Sequence, residues 1–217
     1  MSTSCIIVIV CFIAILVFIA IFKRSYSKRS QKKRDKNKPE DWASVLIVIG
    51  SGGHTSEILS LVKTMGSNYS PRYYVLAETD TTSENKVKEC EKLKEKLGHS
   101  SHYEIFYIPR SREVKQSYLT SVLTTLRAIL YCLPLTFKLR PEVILCNGPG
   151  TCIPICIAGM FLKLWQTTSI VYVESFCRVQ SLSLSGQLLY PFIDSFFVQW
   201  PELLSKYPNA KYVGRLV

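Results

Sequence analysis

The chain has 217 residues and a net charge of +11, and 47% of its residues are apolar while 20% are charged. This composition excludes a chain that is disordered throughout, because so many apolar residues can bury a core. The charge is local: residues 23–38 carry nine Lys or Arg and one Asp, which leaves +3 for the 179 residues that follow. A nucleic-acid-binding fold would spread a basic face over the folded part, so it is not indicated.

The chain begins with an apolar segment. Cys5–Phe22 is a run of 18 apolar residues, which as a helix nearly covers the roughly 30 Å of a bilayer's hydrocarbon core. We predict a single transmembrane anchor over residues 1–22 and a basic cytosolic linker over 23–41. Cytosolic flanks collect Lys and Arg, so the N-terminus is expected in the lumen and the globular part in the cytosol. The alternative, a cleaved signal peptide, requires basic residues before the apolar run rather than after it.

From residue 42 onward, apolar runs typical of buried strands alternate with segments of helical periodicity. The predicted elements in chain order are a strand over Ser44–Ile49, a helix over His54–Met65, a strand over Arg72–Ala77, a helix over Ser83–Leu97, a strand over Tyr103–Ile108, a helix over Tyr118–Phe137, a strand over Glu142–Cys146, a helix over Thr151–Trp165, and strands over Ser169–Val173 and Ser195–Gln199. This alternation predicts one α/β domain over 42–217, with a parallel, Rossmann-like sheet and helices on both faces.

Two of the predicted helices have unusual compositions. The second is charged and has few apolar anchors, Val87, Leu93 and Leu97, so we expect it on the outside. The third is apolar on one face, and Pro134 is expected to kink or end it. Its length also permits a second membrane span, but its Ser and Thr residues favour a helix packed on the sheet, with contact to the bilayer left open.

A glycine-rich turn, GSGGHT, follows the first strand. Glycine removes side-chain bulk, so the backbone N–H groups of Gly50, Ser51, Gly52 and Gly53 can face an anion beside the positive end of the next helix. The turn lacks the G-x-G-x-x-G spacing of a dinucleotide site and the Lys-Ser/Thr of a P-loop. We therefore expect it, with Thr55, to bind a phosphate or diphosphate group. A tight strand–helix turn without a ligand is the alternative.

His54 opens the helix that follows this turn. A helix N-terminus disfavours an imidazolium ring, so the neutral ring, which can accept a proton, is favoured. A neutral histidine beside a phosphate pocket suits a general base that acts on a sugar hydroxyl. The alternative is a histidine that caps its own helix or bonds a nearby carbonyl.

A second glycine-rich turn, Asn147-Gly148-Pro149-Gly150-Thr151, follows the fourth strand. Ligands of open parallel sheets bind where strands end and helices begin, so this turn is also a predicted phosphate site. Gly150 allows a ligand to approach the backbone, and Thr151 is expected to cap the next helix. The sequence does not decide which of the two turns binds the diphosphate.

Three charged residues are predicted at the same edge of the sheet. Arg110 and Arg112 end the third strand and can neutralise a phosphate. Glu174 follows the fifth strand and is a second catalytic candidate, which either binds sugar hydroxyls or orients His54. An exposed, solvated position is the alternative for each. The cysteines show no C-x-x-C pair and no spacing suited to zinc, so no metal site is predicted. The glycine spacing of the first turn disfavours a nicotinamide or flavin, so no cofactor is predicted.

Four motifs in order are similar to those of a known family: GSGGHTSE, IPRSREV, NGPGT and YVESFCRV. With the N-terminal anchor, the sequence from about Val45 to Val217 resembles the membrane subunit of the eukaryotic N-acetylglucosaminyltransferase that makes chitobiosyl-diphosphodolichol, the asparagine-linked glycosylation subunit fourteen. The fold is also similar to the N-terminal half of the bacterial enzyme that adds N-acetylglucosamine (GlcNAc) to lipid-linked muramyl-pentapeptide.

The resemblance implies one half of an inverting, two-domain GT-B glycosyltransferase that is split over two chains. This chain would bind the acceptor, GlcNAc-diphosphodolichol, at the cytosolic face of the endoplasmic reticulum, and a soluble catalytic subunit, subunit thirteen of the same pathway, would bind UDP-GlcNAc. Alone, the chain is expected to be inactive. By resemblance, Gly214, Arg215, Leu216 and Val217 contact the soluble partner. The preceding GlcNAc-phosphotransferase as a further partner and the nuclear envelope as a second location are left open.

Two other functions compete with this interpretation. One is a pure membrane scaffold for a soluble catalytic protein, with no active-site residues of its own. The other is a membrane-anchored dehydrogenase, for which Glu78 and Asp80 are suitably placed after the second strand but the glycine spacing is wrong.

Overall fold

Strands and helices alternate along the described part of the chain. The computed structural model describes residues 42–98, 102–112 and 116–217, so the predicted anchor over 1–22 and the predicted linker over 23–41 lie outside the described residues. The elements are β1 (Ala43–Val48), α1 (Gly53–Thr64), β2 (Tyr69–Ala77), α2 (Thr81–Lys96), β3 (Tyr103–Ile108), α3 (Tyr118–Leu139), β4 (Val143–Asn147), α4 (Cys152–Leu162), β5 (Ser169–Val173), α5 (Leu184–Leu189) and β6 (Ser195–Phe197), with 3-10 turns over Tyr190–Phe192 and Pro201–Ser205.

The six strands form one parallel sheet in the order β3-β2-β1-β4-β5-β6. Helices cover both faces: Ile58 of α1 and Val87 of α2 belong to the core cluster on one face, and Cys132 of α3 and Ile155 of α4 belong to the cluster on the other. The predicted parallel α/β domain is therefore confirmed. The strand order reverses between β1 and β4, and this is the place in such sheets where ligands bind.

The charged helix α2 is attached to the sheet by a buried ion pair rather than by leucines. Val87 is buried as expected, but Leu93 and Leu97 are 51% and 75% exposed. Buried Glu91 instead accepts two hydrogen bonds from Arg72 of β2, at 2.8 and 2.7 Å. The predicted leucine anchors are wrong because Glu91, one turn after Val87, occupies the helix face that meets the sheet.

The long helix α3 continues past Pro134 to Leu139, two residues beyond its predicted end at Phe137. Of the two effects expected of the proline, an end of the helix is wrong, and a kink stays a prediction. The helix packs against α4 through its small side chains, and the buried ones are Ser121, Ala128, Cys132 and Thr136. Several large apolar side chains of its first half lie on the outside: Val122, Leu123, Leu126, Leu130 and Tyr131 are exposed. In its second half, Leu133, Leu135 and Leu139 pack against the core. The side of α3 that carries the small, buried residues faces the domain, because small side chains allow two helices to approach closely. Among the described residues, the segment Thr120–Leu139 has the length and apolar composition to cross a membrane.

Candidate functional site

The two glycine-rich turns meet at the centre of the sheet. They follow β1 and β4, which are neighbouring strands, and they lie so close that a Cβ atom at Gly50 would be 2.4 Å from Pro149 Cγ. At Gly53 and Gly150, no described atom lies within 4 Å of the place that a Cβ would take. The geometry thus brings the two predicted phosphate turns into one site with open space beside its backbone.

Helices α1 and α4 begin at these turns without a capping side chain. Gly52 is the N-cap of α1, and Thr151 makes no capping hydrogen bond to α4, so the predicted cap by Thr151 is wrong. Both first turns are fully described, and neither contains an acidic residue. The other three helices are capped by Asp80, Ser117 and Ser183. The N–H groups at the start of α1 are therefore left for water or for an anion. At α4, the nitrogens of Cys152 and Ile153 already donate to the backbone oxygens of Pro149 and Gly150 at 2.9 and 3.1 Å.

His54 lies in the first turn of α1, with its ring against Gly148 of the second glycine turn. A Cβ atom at Gly148 would lie 2.5 Å from Cε1 of His54, so a residue with a side chain would displace the ring. Nδ1 of His54 is 3.1 Å from Oδ1 of Asn147. The N-cap position belongs to Gly52, so a His54 that caps its own helix is wrong. The other form of that alternative, a histidine that bonds a nearby carbonyl, agrees with the contact to the amide oxygen of Asn147.

Asn147 connects His54 to Glu57, which is the last residue of the motif GSGGHTSE but was not among the predicted site residues. Nδ2 of Asn147 donates to Oε2 of Glu57 at 3.0 Å and to the backbone oxygen of Val173 at 3.3 Å. Oγ of Ser175 donates to Oε1 of Glu57 at 2.9 Å. One chain of hydrogen bonds therefore joins α1, β4 and the segment after β5. The sequence signal for Glu57 is its distance of three residues from His54, because residues three apart on a helix share a face.

Glu174 is fully buried, so the alternative of an exposed, solvated glutamate is wrong. Its carboxylate accepts hydrogen bonds from the backbone nitrogen of Ser175 at 3.0 Å and from the nitrogen and hydroxyl of Ser183 at 2.9 and 3.0 Å. Burial raises the pKa of the Glu174 carboxyl, and these hydrogen bonds oppose the rise. The residue that orients His54 is Asn147 rather than Glu174. A catalytic role for Glu174 stays a prediction, and its burial opposes contact with a sugar.

Thr55, predicted to bind a ligand, is buried beneath the first glycine turn. Its hydroxyl donates to the backbone oxygen of Gly50 and lies 2.7 Å from the hydroxyl of Ser83 in α2. Thr55 therefore ties the turn to α2 instead of facing a ligand. Residues 51–53, by contrast, are exposed.

A cavity of about 710 Å³ opens beside the two turns, against α3, α4 and α5. Polar groups line part of it, from Ser51, Arg110, Arg112, Gly150 and Thr151. Apolar side chains line another part, from Val122, Leu126, Ile129, Ile153, Leu184 and Leu188. Both predicted arginines thus face the same cavity as the turns. His54 lies next to it, against Gly148, whose neighbour Pro149 is part of the lining.

The predicted partner-binding residues fold back onto the domain. The guanidinium of Arg215 lies over the ring of Trp200 at 4.6 Å and near the ring of Phe176 at 5.7 Å. The backbone nitrogen of Leu216 donates to Gln199 at 2.8 Å, and its side chain packs against the core. This end of the chain is therefore held at the rim of the sheet beyond β5 and β6. Its contact with a partner stays a prediction.

Metal ligands do not cluster in the described ranges: no group of three or more His, Cys, Asp or Glu side chains is placed there to hold a metal ion. The sulfurs of Cys146 and Cys156 lie 3.4 Å apart in the core. Burial raises the pKa of the Cys146 thiol, so this pair behaves as core packing rather than as a reactive site.

Comparison with known proteins decides the family. The sequence profile described as "Oligosaccharide biosynthesis protein Alg14 like" matches residues 45–216. The chain belongs to this family. Two Alg14-like relatives, both named "UDP-N-acetylglucosamine transferase subunit ALG14", come from Rattus norvegicus and Homo sapiens. They are 48% and 47% identical over 184 residues, which cover 82% of this chain and 85% of each relative.

The Alg14-like domain also has a structural relative. The crystal structure of MurG from Acinetobacter baumannii superposes with a TM-score of 0.56 at 15% identity, over 80% of this chain and 45% of MurG. At this identity the likeness shows the fold alone. It confirms the predicted Rossmann-like fold and its likeness to part of MurG, and this chain spans less than half of the MurG chain.

Proposed function

We propose that this chain is the membrane-anchored, acceptor-binding subunit of a heteromeric transferase that moves GlcNAc from UDP-GlcNAc to GlcNAc-diphosphodolichol. Membership of the Alg14-like family, with relatives named as UDP-N-acetylglucosamine transferase subunits, supports a role in a glycosyltransferase complex. The complex works at the cytosolic face of the endoplasmic reticulum, in the second step of lipid-linked oligosaccharide synthesis. The anchor over 1–22 holds the domain beside its lipid substrate.

The mixed lining of the cavity is the observation that carries the proposal. A diphosphate needs N–H donors and cations, which the uncapped start of α1 and the side chains of Arg110 and Arg112 offer. An isoprenoid tail needs an apolar wall, which α3 and α5 offer in the same cavity. A lipid-linked sugar diphosphate combines these two requirements in one molecule.

The dehydrogenase alternative is disfavoured by the glycine spacing of the first turn. Of its two candidate carboxylates after β2, Glu78 is exposed and Asp80 is already engaged. A dinucleotide site needs a free carboxylate after β2 to bind the ribose. Asp80 instead caps α2, where its two oxygens accept hydrogen bonds from the nitrogen and the hydroxyl of Ser83 at 3.1 and 2.7 Å.

The proposed reaction is a single displacement with inversion at C1 of the donor sugar. Nε2 of His54 takes the proton of the acceptor 4-hydroxyl, the O4–C1 bond forms, and the bond from C1 to UDP breaks, with UDP keeping the electron pair. One side chain that receives one proton suffices for this step. The phosphates of the acceptor stay on the glycine turns throughout.

The donor site belongs to a second, soluble subunit in this proposal, so the chain alone is inactive. The names of the relatives, which describe each of them as a subunit of a UDP-N-acetylglucosamine transferase, support this division. The rim that carries Phe176, Trp200 and Arg215 is the proposed contact with the partner. Aromatic rings and arginines are frequent in interface hot spots, which favours this assignment.

His54→Ala in the reconstituted pair tests the proposal. Loss of a general base is expected to lower turnover of GlcNAc-diphosphodolichol by about 100-fold or more. The matched control is His102→Ala. His102 is exposed and precedes β3, so it lies at the amino ends of the strands, whereas His54 lies at their carboxyl ends. A His54→Ala variant that stays within about threefold of wild type would support the scaffold alternative instead.

A further inference from the structure

The protonation pattern of the His54 ring decides whether it can act as the proposed base. A neutral imidazole carries its proton on one of two nitrogens, and only an unprotonated Nε2 can accept the proton of a hydroxyl that approaches from the ligand side. We infer that Glu57 is a positioning residue that fixes this tautomer through the side-chain amide of Asn147. The inference deepens the proposed function and rests on it.

Two hydrogen-bond acceptors fix the orientation of the Asn147 amide. Its nitrogen lies 3.0 Å from the Glu57 carboxylate and 3.3 Å from the backbone oxygen of Val173. An ionised carboxylate and a carbonyl can only accept hydrogen bonds. If the amide were turned over, its oxygen would face both acceptors in a fully buried place. The amide oxygen of Asn147 therefore points to His54.

The contact with the Asn147 oxygen places the proton of the neutral His54 ring on Nδ1. The Asn147 oxygen lies 3.1 Å from Nδ1 of His54, which is a hydrogen-bond distance. An amide oxygen has no proton to donate, so the proton between these atoms belongs to Nδ1. The neutral ring has one N–H, and Nε2 is thereby left with a free lone pair.

The Glu57 carboxylate is itself held in place by hydrogen bonds. Ser175 donates to Oε1 of Glu57 at 2.9 Å, which leaves Oε2 for Asn147. The backbone of Ser175 is held in turn by the buried carboxylate of Glu174 at 3.0 Å. Glu57 thus receives a donor on each oxygen, and its position depends on a buried segment rather than on solvent. This also gives Glu174 a place in the site without contact to substrate.

The test uses the full-length chain in complex with its soluble partner, labelled with ¹⁵N-histidine. The chain has only three histidines, so the His54 ring signals are assigned by comparison with His54→Ala. In the wild type near pH 8, the ring nitrogens should report a proton on Nδ1. Glu57→Ala removes one of the two acceptors that orient Asn147, so the ring should show a mixture of both tautomers.

Steady-state kinetics on the same samples distinguish a Glu57 that orients His54 from a Glu57 that only stabilises the fold. For Glu57→Ala we expect kcat to fall about 10- to 100-fold, the range seen when a partner that orients a functional imidazole is removed, with little change in KM for the acceptor. Glu57→Gln should recover most of the activity, because its amide oxygen still accepts from Asn147 while its nitrogen faces Ser175. The matched control is Glu89→Ala, which removes an exposed carboxylate on α2.

A wild-type ring with its proton on Nε2 overturns the inference, and so does an unchanged tautomer in Glu57→Ala, even where activity falls. An unchanged kcat in Glu57→Ala with a mixed tautomer also overturns it. The failure of the proposed function is a different result: there His54→Ala keeps its turnover, while the ring signals still report whether Glu57 sets the tautomer.

Discussion

Gly148 sets the room that the His54 ring occupies. Its φ of +71° lies in the left-handed region, and a Cβ atom at this position would lie 2.5 Å from Cε1 of the ring and 2.8 Å from Nδ1. Two separate requirements, one of the backbone and one of the neighbouring ring, therefore exclude a side chain here. Only the second requirement concerns the chemistry of the site.

Gly148→Ala and Gly98→Ala separate these two requirements. Gly98 has a φ of +81°, but no described atom lies within 4 Å of its Cβ position. Both variants should lose about 1–2 kcal/mol of stability from backbone strain. Only Gly148→Ala should also lose activity, by about 100-fold, since displacing a catalytic group by 1 Å can have that effect. Thermal unfolding and turnover of the two proteins check this, and equal turnover would show that the position of the ring does not matter.

At the level of elements, α3 is the helix whose composition and packing disagree. It buries the small residues Ser121, Ala128 and Thr136 against the domain, while Leu123 and Leu130 are exposed. Val122 and Leu126 are exposed and also line the cavity, so the outer face of the helix continues into the site. We expect this face to contact the bilayer from which the acceptor enters.

Leu123→Ser combined with Leu130→Ser tests that contact. Each leucine contributes about 1.5 kcal/mol or more when its side chain leaves water, so KM for acceptor embedded in vesicles should rise about tenfold or more. KM for a short-chain, water-soluble acceptor should stay the same. Leu93→Ser with Leu97→Ser is the control, because these exposed leucines lie on α2, on the other face of the sheet. An equal rise with both acceptors would place the effect in the pocket instead of the bilayer.

How far sequence predicts this molecule also differs between elements. Strands β3 and β5 have the predicted bounds, because polar residues flank short, strongly apolar runs. The faces of α2 and α3 were not predictable, since periodicity identifies an apolar stripe but not what covers it. The hydrogen bond between Asn147 and Glu57 joins residues 90 positions apart. The motifs therefore predicted the two turns and His54, while the group that orients the histidine needed the folded sheet.

In the whole molecule, the rim beyond β5 and β6 is the proposed meeting place of the two subunits. Arg215 lies over Trp200, and Tyr212 and Val213 expose their side chains next to it. Removal of 215–217 should weaken the pair by about 2 kcal/mol or more, roughly 30-fold in Kd, because an arginine anchor on aromatic rings is lost. Co-purification with the soluble partner measures this. The thermal unfolding of the chain alone is the control, and a truncated chain that still binds its partner would assign the interface elsewhere.

The apolar wall of the cavity should also bind detergent when the protein is studied in micelles. A wall formed by Val122, Leu126 and Leu188 does not discriminate between an isoprenoid and another flexible hydrocarbon of similar width. Single-chain surfactants present at millimolar levels would then occupy the groove and act as competitive inhibitors. Assays in nanodiscs avoid this interference, and acceptor affinities taken from micelles underestimate those in a native lipid environment.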